Sequence, residues 1–326
     1  MTFVWRTARS VDLAQCLEIA ADRFLYDERS LVALKAMWSE VLVRDIGRAS
    51  VVVMDCARER ILGFGISAFV SPALFGSIIG DGEPFVTRQL LERWRIGDPP
   101  FLHETGIATA NATRGVNVFV MNSGATCTGV ECSEERLFQL LADAFFAQHA
   151  GLNISGLAHE CFGSFHESCS ELGMRTRFYA HDATRVQSIP GDRRPCISWM
   201  TREEALRPPR CAVDQVFTLA TKPQLNLDAG VRRVLRLALE GESDEYIADA
   251  VELSVATIKK RWLQIYETFR SSTGLVAYQW PKDRTLGDGR GPEMRRHVLR
   301  YIREHPEELH ACELPSGKSP IRSYSG

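Results

Sequence analysis

The hydrophobic pattern of the chain changes after about residue 225, and this change limits the possible folds more than any other feature. Up to about residue 200, apolar runs typical of strands alternate with segments in which apolar residues recur at helical spacing. From about residue 225 the pattern contains short helices without strands. Because 326 residues are enough for two domains, we predict an α/β domain followed by an all-α domain.

The first region starts with a strand at 3–9 and two amphipathic helices. The runs 50–55 and 61–70 are rich in strand-forming residues and are separated by a charged turn, which predicts a hairpin. Residues 71–115 are interrupted by glycine and proline and give no clear assignment. The run 116–121 is continuous and apolar, as in a buried strand.

The strongest helix pattern of the chain begins after Ser133, a good N-cap, and ends at Gly151. A strand, a short helix to Gly173 and another strand follow, and a closing strand lies near 196–200. The resulting order, β-α-α-β-β-β-α-β-α-β, resembles the GNAT N-acetyltransferase fold over roughly residues 1–200. The resemblance implies an α/β domain with a mixed sheet covered by helices.

The GNAT fold binds the pyrophosphate of acetyl-CoA in a loop between its fourth strand and the next helix, through backbone N–H groups at the helix N-terminus. The corresponding stretch here, 122–136, contains Gly124 and Gly129 but has neither the basic residue nor the spacing of that loop. Three of its side chains would repel a phosphate: Glu131, Glu134 and Glu135. We therefore expect no acetyl transfer and no bound cofactor, and a domain used for sensing or scaffolding.

A group of zinc-competent residues lies in HECFGSFHESC at 159–169. Its members are His159, Cys161, His166 and Cys169. The spacing is not that of a zinc finger, and the stretch lacks the HExxH arrangement that places two histidines on one helical face. We expect a helix following a strand, with the cysteines as small core residues, and no metal site.

The C-terminal region predicts two short helices and a longer one. The first helix covers 231–239 and ends at Gly241, and Ser243 caps the second. Residues 252–253 make a tight turn, after which Ser254 caps the third helix. This succession predicts a helix-turn-helix.

The third helix has two chemically different faces. One face is apolar and consists of Val255, Ile258, Trp262, Ile265 and Phe269. The other is polar, at positions i, i+3, i+4 and i+7, and consists of Thr257, Lys260, Arg261 and Gln264. Lys259 lies on its flank. Hydroxyl, ammonium, guanidinium and amide groups are the groups that read base edges in a major groove.

The segment 241–269 resembles the LuxR-type helix-turn-helix. The matching residues are Gly241, Ser243, Ile247, Ala248, Ser254, Thr257, Lys259 and Ile265. Arg261 stands where histidine is usual, Thr268 replaces a lysine, and Gly230-Val231 replaces an Arg-Glu pair. The resemblance implies that Thr257 and Lys259 hold the DNA backbone, and we expect Lys260, Arg261 and Gln264 to contact bases. The complete predicted DNA-binding set is Ser254, Thr257, Lys259, Lys260, Arg261 and Gln264.

The charge of the chain leaves a second interpretation of these cations open. The formal net charge is −2, so DNA contact would have to come from a local patch. The residues before the cations are acidic, and a run of cations is most often a solvated helix face. The helix is therefore either a DNA-reading helix or an ordinary surface helix.

The predicted domain boundaries follow from these patterns. Residues 1–187 form the GNAT-like sensor domain, and 188–223 form a linker with a possible last strand of that domain. Residues 224–274 form the helix-turn-helix, and 275–326 form an extension with one helix at 292–309. That last helix either packs on its own domain or makes a dimer contact.

The predicted function is that of a transcription regulator, not an enzyme, whose partners are double-stranded DNA, a second copy of the chain and a small-molecule effector of unknown identity. The alternative is a GNAT-type N-acetyltransferase that carries a DNA-binding module. The 9 cysteines include no CxxC pair, as expected for reduced thiols in a cytoplasm. No apolar run is long enough to cross a bilayer, and the start lacks a signal peptide, so we expect no membrane contact.

Overall fold

Two hydrophobic cores, one in the α/β region and one among the C-terminal helices, organise the chain in a computed structural model. The residues that the structure describes are 2–24, 26–54, 57–80, 82–127, 132–163, 165–179, 189, 194–208, 211–217, 221–271 and 291–312.

A seven-stranded sheet forms the centre of the α/β region, with the strand order β1-β2-β3-β4-β5-β7-β6. The strands are β1 Phe3–Thr7, β2 Gly47–Met54, β3 Ala57–Val70, β4 Val116–Ala125, β5 Ile154–Phe162, β6 Arg175–Phe178 and β7 Pro195–Thr201. Neighbouring strands are antiparallel except β4 and β5, which are parallel. The mixed sheet confirms the predicted α/β fold class, and the closing strand β7 lies between β5 and β6.

In the described part of this region, eight α-helices accompany the sheet. They are α1 Leu13–Phe24, α2 Glu28–Val43, α3 Pro72–Ile79, α4 Val86–Arg95, α5 Glu104–Ala112, α6 Glu134–His149, α7 Phe165–Glu171 and α8 Arg202–Ala205. Helices α3 to α5 occupy the stretch 71–115 that the sequence pattern left unassigned. Ser71 caps α3 by accepting a hydrogen bond from the Leu74 amide, with Pro72 at the first helical position.

Strands β4 and β5 separate after a short parallel pairing. Their register extends from Val116 opposite Ile154 to Val120 opposite His159. Beyond this point β4 continues to pair with β3, and β5 continues to pair with β7. The two strands therefore diverge and open a V-shaped gap in the middle of the sheet, which we call the β4–β5 gap.

Residues 188–223, predicted as a linker with a possible last strand, contribute to the first core. They contain β7, α8 and a 3-10 helix at Ala212–Phe217. Val213, Val216 and Phe217 of this 3-10 helix are buried in the core of the α/β region. The described part of this segment is thus packed against the sheet, and it contains the strand that the sequence suggested.

The C-terminal helices surround a second core. They are α9 Ala229–Leu239, α10 Asp244–Ala250, α11 Val255–Ser271 and α12 Gly291–Glu304, followed by a 3-10 helix at Pro306–Leu309. Helix α12 packs on α9 and α11 and buries Val298, Tyr301 and Ile302 in this core. These contacts agree with the expectation of a helix packed on its own domain. Most of the predicted loop 279–292 lies outside the described residues.

The second core is held against the edge of the sheet by polar contacts of α9 and of the segment after α12. Arg236 donates to Asp45 at 2.7 Å, and the Thr7 amide donates to Glu240 at 2.9 Å. His310 Nε2 lies 2.7 Å from the Ala150 carbonyl oxygen. Between these contacts lies a cavity of about 520 Å³, which both regions line. Among these contacts, α9 and the segment after α12 dock the C-terminal helices onto the α/β region.

Candidate functional site

The N-terminus of α11 is held by Ser254. Its Oγ accepts a hydrogen bond from the Thr257 amide at 3.1 Å, and the two hydroxyl groups lie 2.8 Å apart. The preceding turn is tight because Glu252 adopts a left-handed conformation with φ 56 and the Leu253 amide donates to the Ala248 carbonyl. Ser254, predicted to bind DNA, thus also fixes the direction in which α11 leaves the turn.

The exposed face of α11 carries most of the predicted DNA-binding side chains. Ile258, Trp262, Ile265 and Phe269 are buried, as the helical spacing predicts. Lys259, Lys260 and Gln264 are exposed, and Thr257 is half-buried beside them. The sequence interpretation missed Leu263, which is 67% exposed next to these polar groups. An apolar side chain on such a face could contact a thymine methyl group.

Arg261 departs from the prediction that it lies on the outward stripe. Its side chain is only 27% exposed, and its Nη1 lies 3.5 Å from Asp228 Oδ1 at the start of α9. A Cβ atom on Gly230 would lie 2.5 Å from the same nitrogen. The missing side chain at Gly230 leaves the space, and the Asp228 carboxylate attracts the cation. Arg261 therefore joins α11 to α9 and is turned away from the exposed stripe, and its role in reading bases stays a prediction.

A second contact that the sequence did not reveal fixes α11 against α10 and α12. Trp262 Nε1 donates to Asp244 Oδ1 at 3.2 Å, and Arg295 donates to the same oxygen at 2.7 Å. The guanidinium of Arg295 lies 4.4 Å from the centre of the Trp262 ring, within cation–π distance. The Asp244 carboxylate thus joins α10, α11 and α12, and this contact fixes the orientation of α11.

The β4–β5 gap is occupied by the N-terminus of α4. Glu160 on β5 accepts hydrogen bonds from the amides of Val86 at 2.6 Å and Thr87 at 2.9 Å. The Thr87 hydroxyl donates to the Met121 carbonyl of β4 at 2.7 Å. Burial raises the pKa of Glu160, against the lowering effect of these hydrogen bonds. The Met121 carbonyl of β4, which faces the gap, therefore already accepts a hydrogen bond from Thr87 of the same chain.

The surface at the start of α6 is acidic. Glu134 and Glu135 in its first turn and Glu167 and Glu171 on α7 line one shallow groove. A carboxylate at a helix N-terminus competes there with any anionic ligand. Residues 128–131 of the predicted pyrophosphate-like loop, including Gly129 and Glu131, lie outside the described residues. The described groove therefore favours a cationic ligand over a nucleotide phosphate.

The zinc-competent residues of 159–169 are only partly brought together. The ligand atoms of His159, Cys161 and Cys169 all lie within 4.8 Å of one another in the buried core. His166 is separate from them, since its Nδ1 lies 2.7 Å from the Gly163 carbonyl oxygen. The expectation that the cysteines pack in the core holds for their burial, but they pack against each other and against a histidine.

No protein-family model matches the chain, and no curated protein matches it. Several solved structures are similar at low identity. A histone acetyltransferase HPA2 and related acetyltransferase from Corynebacterium glutamicum is 13% identical, with 61% of this chain and 96% of that chain covered and a TM-score of 0.35. NAA60 from Arabidopsis thaliana in complex with acetyl-CoA is 13% identical, with 61% and 99% covered and a TM-score of 0.35.

An arylalkylamine N-acetyltransferase from the yellow fever mosquito is also 13% identical, with 61% and 87% covered and a TM-score of 0.37. Two of these three descriptions name an acetyltransferase, and the third names a complex with acetyl-CoA. At TM-scores of this size the similarities carry no argument about function, which rests on the contacts given above. None of the described helices is both long and apolar enough to span a membrane.

Proposed function

We propose that the chain is a DNA-binding regulator in which α10 and α11 form a LuxR-like helix-turn-helix. The observation that supports this proposal is the exposed, fixed face of α11. Ser254 caps the helix, Trp262 and Arg261 anchor it, and Lys259 and Lys260 point outward from its first half. In helix-turn-helix docking, the N-terminal part of the second helix enters the major groove.

Two lysines near the N-terminus of a helix are unfavourable without a ligand. The helix dipole disfavours each exposed cation there by about 0.3 kcal/mol or more. Phosphate neutralisation by each lysine supplies more than this in DNA binding at moderate salt. Lys259 and Lys260 are therefore proposed to bind phosphates, and Thr257 and Gln264 to contact the backbone and a base edge. Arg261 positions the helix.

The α/β region is proposed to sense a small molecule and to control the docked helices. Its contacts with the helix-turn-helix surround the cavity of about 520 Å³, a volume suited to a metabolite-sized ligand. Residues from both regions line it, including Arg48 and Glu240. A ligand bound there would change how the two regions dock. We further propose a homodimer on DNA, because paired half-sites give the specificity that one helix-turn-helix lacks.

Replacing Lys259 and Lys260 together with alanine should weaken binding to a random-sequence duplex about tenfold or more. It should also lower the slope of log affinity against log salt by about two units, one for each lost phosphate contact. The helix should survive, since alanine is a good helix former and the buried face is unchanged. Fluorescence anisotropy over a salt series measures both effects, and circular dichroism confirms folding.

The matched control replaces Arg29 and Lys35, two exposed cations of α2, with alanine. This variant loses the same charge from a helix that packs in the other hydrophobic core, and it should bind like the unchanged chain. Equal affinity and equal salt slopes for both double variants would show that α11 does not contact DNA. The mass of the complex on a selected duplex tests the dimer, and a complex of one chain per site contradicts it.

Acetyl transfer is the second candidate, favoured by the strand order of the sheet and by the divergence of β4 from β5. Glu160, Thr87 and the four glutamates of the α6–α7 groove oppose acetyl-CoA binding, because they occupy the gap and repel phosphates. Acetyl-CoA should therefore leave the melting temperature unchanged. A ligand at 100 times its dissociation constant would instead stabilise the chain by about 2.7 kcal/mol. Such a shift, together with turnover on an amine, would establish the acetyltransferase alternative.

A further inference from the structure

A buried cluster of sulfur and imidazole lies beneath α6, where β5 meets α7. His159 and Cys161 occupy alternate positions of β5 and so lie on the same face of the sheet. Cys169 reaches them from α7. Its Sγ lies 3.5 Å from Cys161 Sγ and 3.4 Å from His159 Nδ1. All three side chains are almost fully buried.

The two distances from Cys169 Sγ are close to the edges of a tetrahedral zinc site. Zinc binds thiolate sulfur at about 2.3 Å and imidazole nitrogen at about 2.0–2.1 Å, which places neighbouring ligand atoms roughly 3.5–3.8 Å apart. Sulfur and imidazole together are the ligands that favour zinc over magnesium or calcium. The two pairs that include Cys169 already have nearly this spacing, and the third pair, Cys161 and His159, lies within 4.8 Å, so it would have to shorten by up to about 1.2 Å to bind one ion.

The second ring nitrogen of His159, Nε2, makes the kind of hydrogen bond that orients metal-binding histidines. His159 Nε2 lies 2.7 Å from Ser123 Oγ on β4, so this nitrogen can donate its hydrogen and leave Nδ1 as the metal-facing lone pair. Metal-binding histidines almost always make such a second contact, which fixes the ring and its tautomer. Ser123 is therefore a positioning residue for the cluster.

A fourth cysteine lies on the strand next to the cluster. Cys196 on β7 lies directly opposite Cys161 in the antiparallel β5–β7 pair, and it is also buried. Side chains at directly opposed positions share one face of the sheet. An ion bound by two thiolates and a neutral imidazole adds no net charge to the core, and its binding releases the two thiol protons to solvent.

We propose that His159, Cys161 and Cys169 bind a structural zinc ion, next to the buried Cys196 of β7. The site ties α7 to the middle of the sheet, next to the small cavity of about 70 Å³ that His159 and Cys169 also line. This role is independent of DNA binding and of acetyl transfer, since it concerns only how the α/β region holds together.

The direct test is metal analysis of the untagged chain, because an oligohistidine tag would itself bind zinc. The chain purified under reducing conditions should contain about one zinc per molecule, and Cys161→Ser and Cys169→Ser should each lower this content about tenfold or more. Cys16→Ser is the matched control, since Cys16 is equally buried in α1 but lies outside the cluster. It should keep its zinc.

A second measurement does not depend on the folding of ligand variants. The unchanged chain, stripped by a chelator and given cobalt(II), should develop the visible bands of tetrahedral cobalt and a thiolate charge-transfer band. Ser123→Ala, which removes no ligand, should weaken zinc about tenfold or more in competition with a chromogenic chelator.

The absence of zinc from the unchanged chain, with no cobalt spectrum after reduction, would overturn the proposal. So would a Cys161–Cys169 disulfide, which requires the two sulfurs to approach to about 2.05 Å and consumes both thiols. The disulfide appears as a mass loss of two hydrogens that dithiothreitol reverses. Zinc that Cys16→Ser loses as readily as Cys169→Ser would likewise contradict the assignment.

Discussion

Replacing Asp45 with asparagine is expected to lower the free energy of unfolding by about 2–3 kcal/mol, at or just below the low end for a partner lost from a buried ion pair, because the Asp45 side chain is 26% exposed. Asp45 accepts from Arg48 at 2.8 Å and from Arg236 at 2.7 Å. Burial lowers the pKa of Arg48 to about 10, which shows how poorly this site tolerates the charge alone. Asparagine keeps the size of the side chain and tolerates the left-handed backbone, φ 56, at this position.

The loss should appear first in the docking of the C-terminal helices, because Arg236 belongs to α9 and also donates to the Leu309 carbonyl. Urea unfolding measures the total effect, and limited proteolysis measures the docking. Asp98→Asn is the matched control: its pair with Arg93 has the same 2.7 Å distance but is exposed. An exposed pair contributes about 0–1 kcal/mol. Equal losses of unfolding free energy in the two variants would show that burial does not strengthen the Asp45 ion pair.

Acidification from pH 6.5 to 4.5 is expected to remove about 2–3 kcal/mol of stability through His149 alone. Burial lowers the pKa of His149 to about 3. Its Nδ1 lies 2.7 Å from the Phe145 carbonyl oxygen, and its Nε2 lies 3.2 Å from Ser67 Oγ, so the ring is neutral in the fold. In the unfolded chain His149 is protonated below about pH 6.5, whereas in the folded chain it stays neutral until the pH approaches 3. Stability is therefore complete above pH 6.5 and falls as the pH decreases toward 3.

Two other groups titrate in the same range and must be separated from His149. Burial lowers the pKa of His310 well below its usual range, which adds to the acid loss. Burial raises the pKa of Glu240 to about 7, despite its hydrogen bonds from Thr7. The folded chain then holds a proton on Glu240 between pH 4.5 and 7 that the unfolded chain has lost, so this group gains stability as the pH falls. The stability gained through Glu240 on acidification thus offsets the stability lost through one buried histidine.

The variant His149→Gln isolates the histidine, because His310 and Glu240 remain in both chains. Denaturant unfolding at pH 6.5, 5.5 and 4.5 should give a shallower pH dependence for His149→Gln than for the unchanged chain, by about 2–3 kcal/mol over the whole range. Parallel curves for the two chains would mean that the pKa of His149 is the same in the folded and unfolded chains. The absolute cost of the substitution does not enter this comparison.

Most strands and helices could be predicted because each is defined by a local pattern. The runs at 50–55, 61–70 and 116–121 became β2, β3 and β4, and Ser133 caps α6 as expected. Residues 71–115 could not be assigned because their helices are short and are joined by glycine and proline. The position of β7 between β5 and β6 is a tertiary choice that no local pattern contains.

The candidate sites were predictable only where they lie on one element. Helical spacing placed Lys260 and Gln264 on the exposed side of α11, because the buried face fixes the rotation of the helix. The same spacing put Arg261 with them, but the space over Gly230 and the charge of Asp228 draw it to α9. The approach of Cys169 to His159 depends on how α7 folds back on β5, which the sequence spacing alone could not show.

The two edges of the sheet restrict how a second copy of the chain can associate. At one edge β1 is five residues long, and the C-terminal helices cover its end, where the Thr7 amide donates to Glu240. At the other edge β6 has only four residues, among them the cations Arg175 and Arg177. Short, charged or covered edges resist the addition of a further strand. Association by extending the sheet across two chains, and the fibrous aggregation that follows from it, are both disfavoured, which leaves helical surfaces for a dimer.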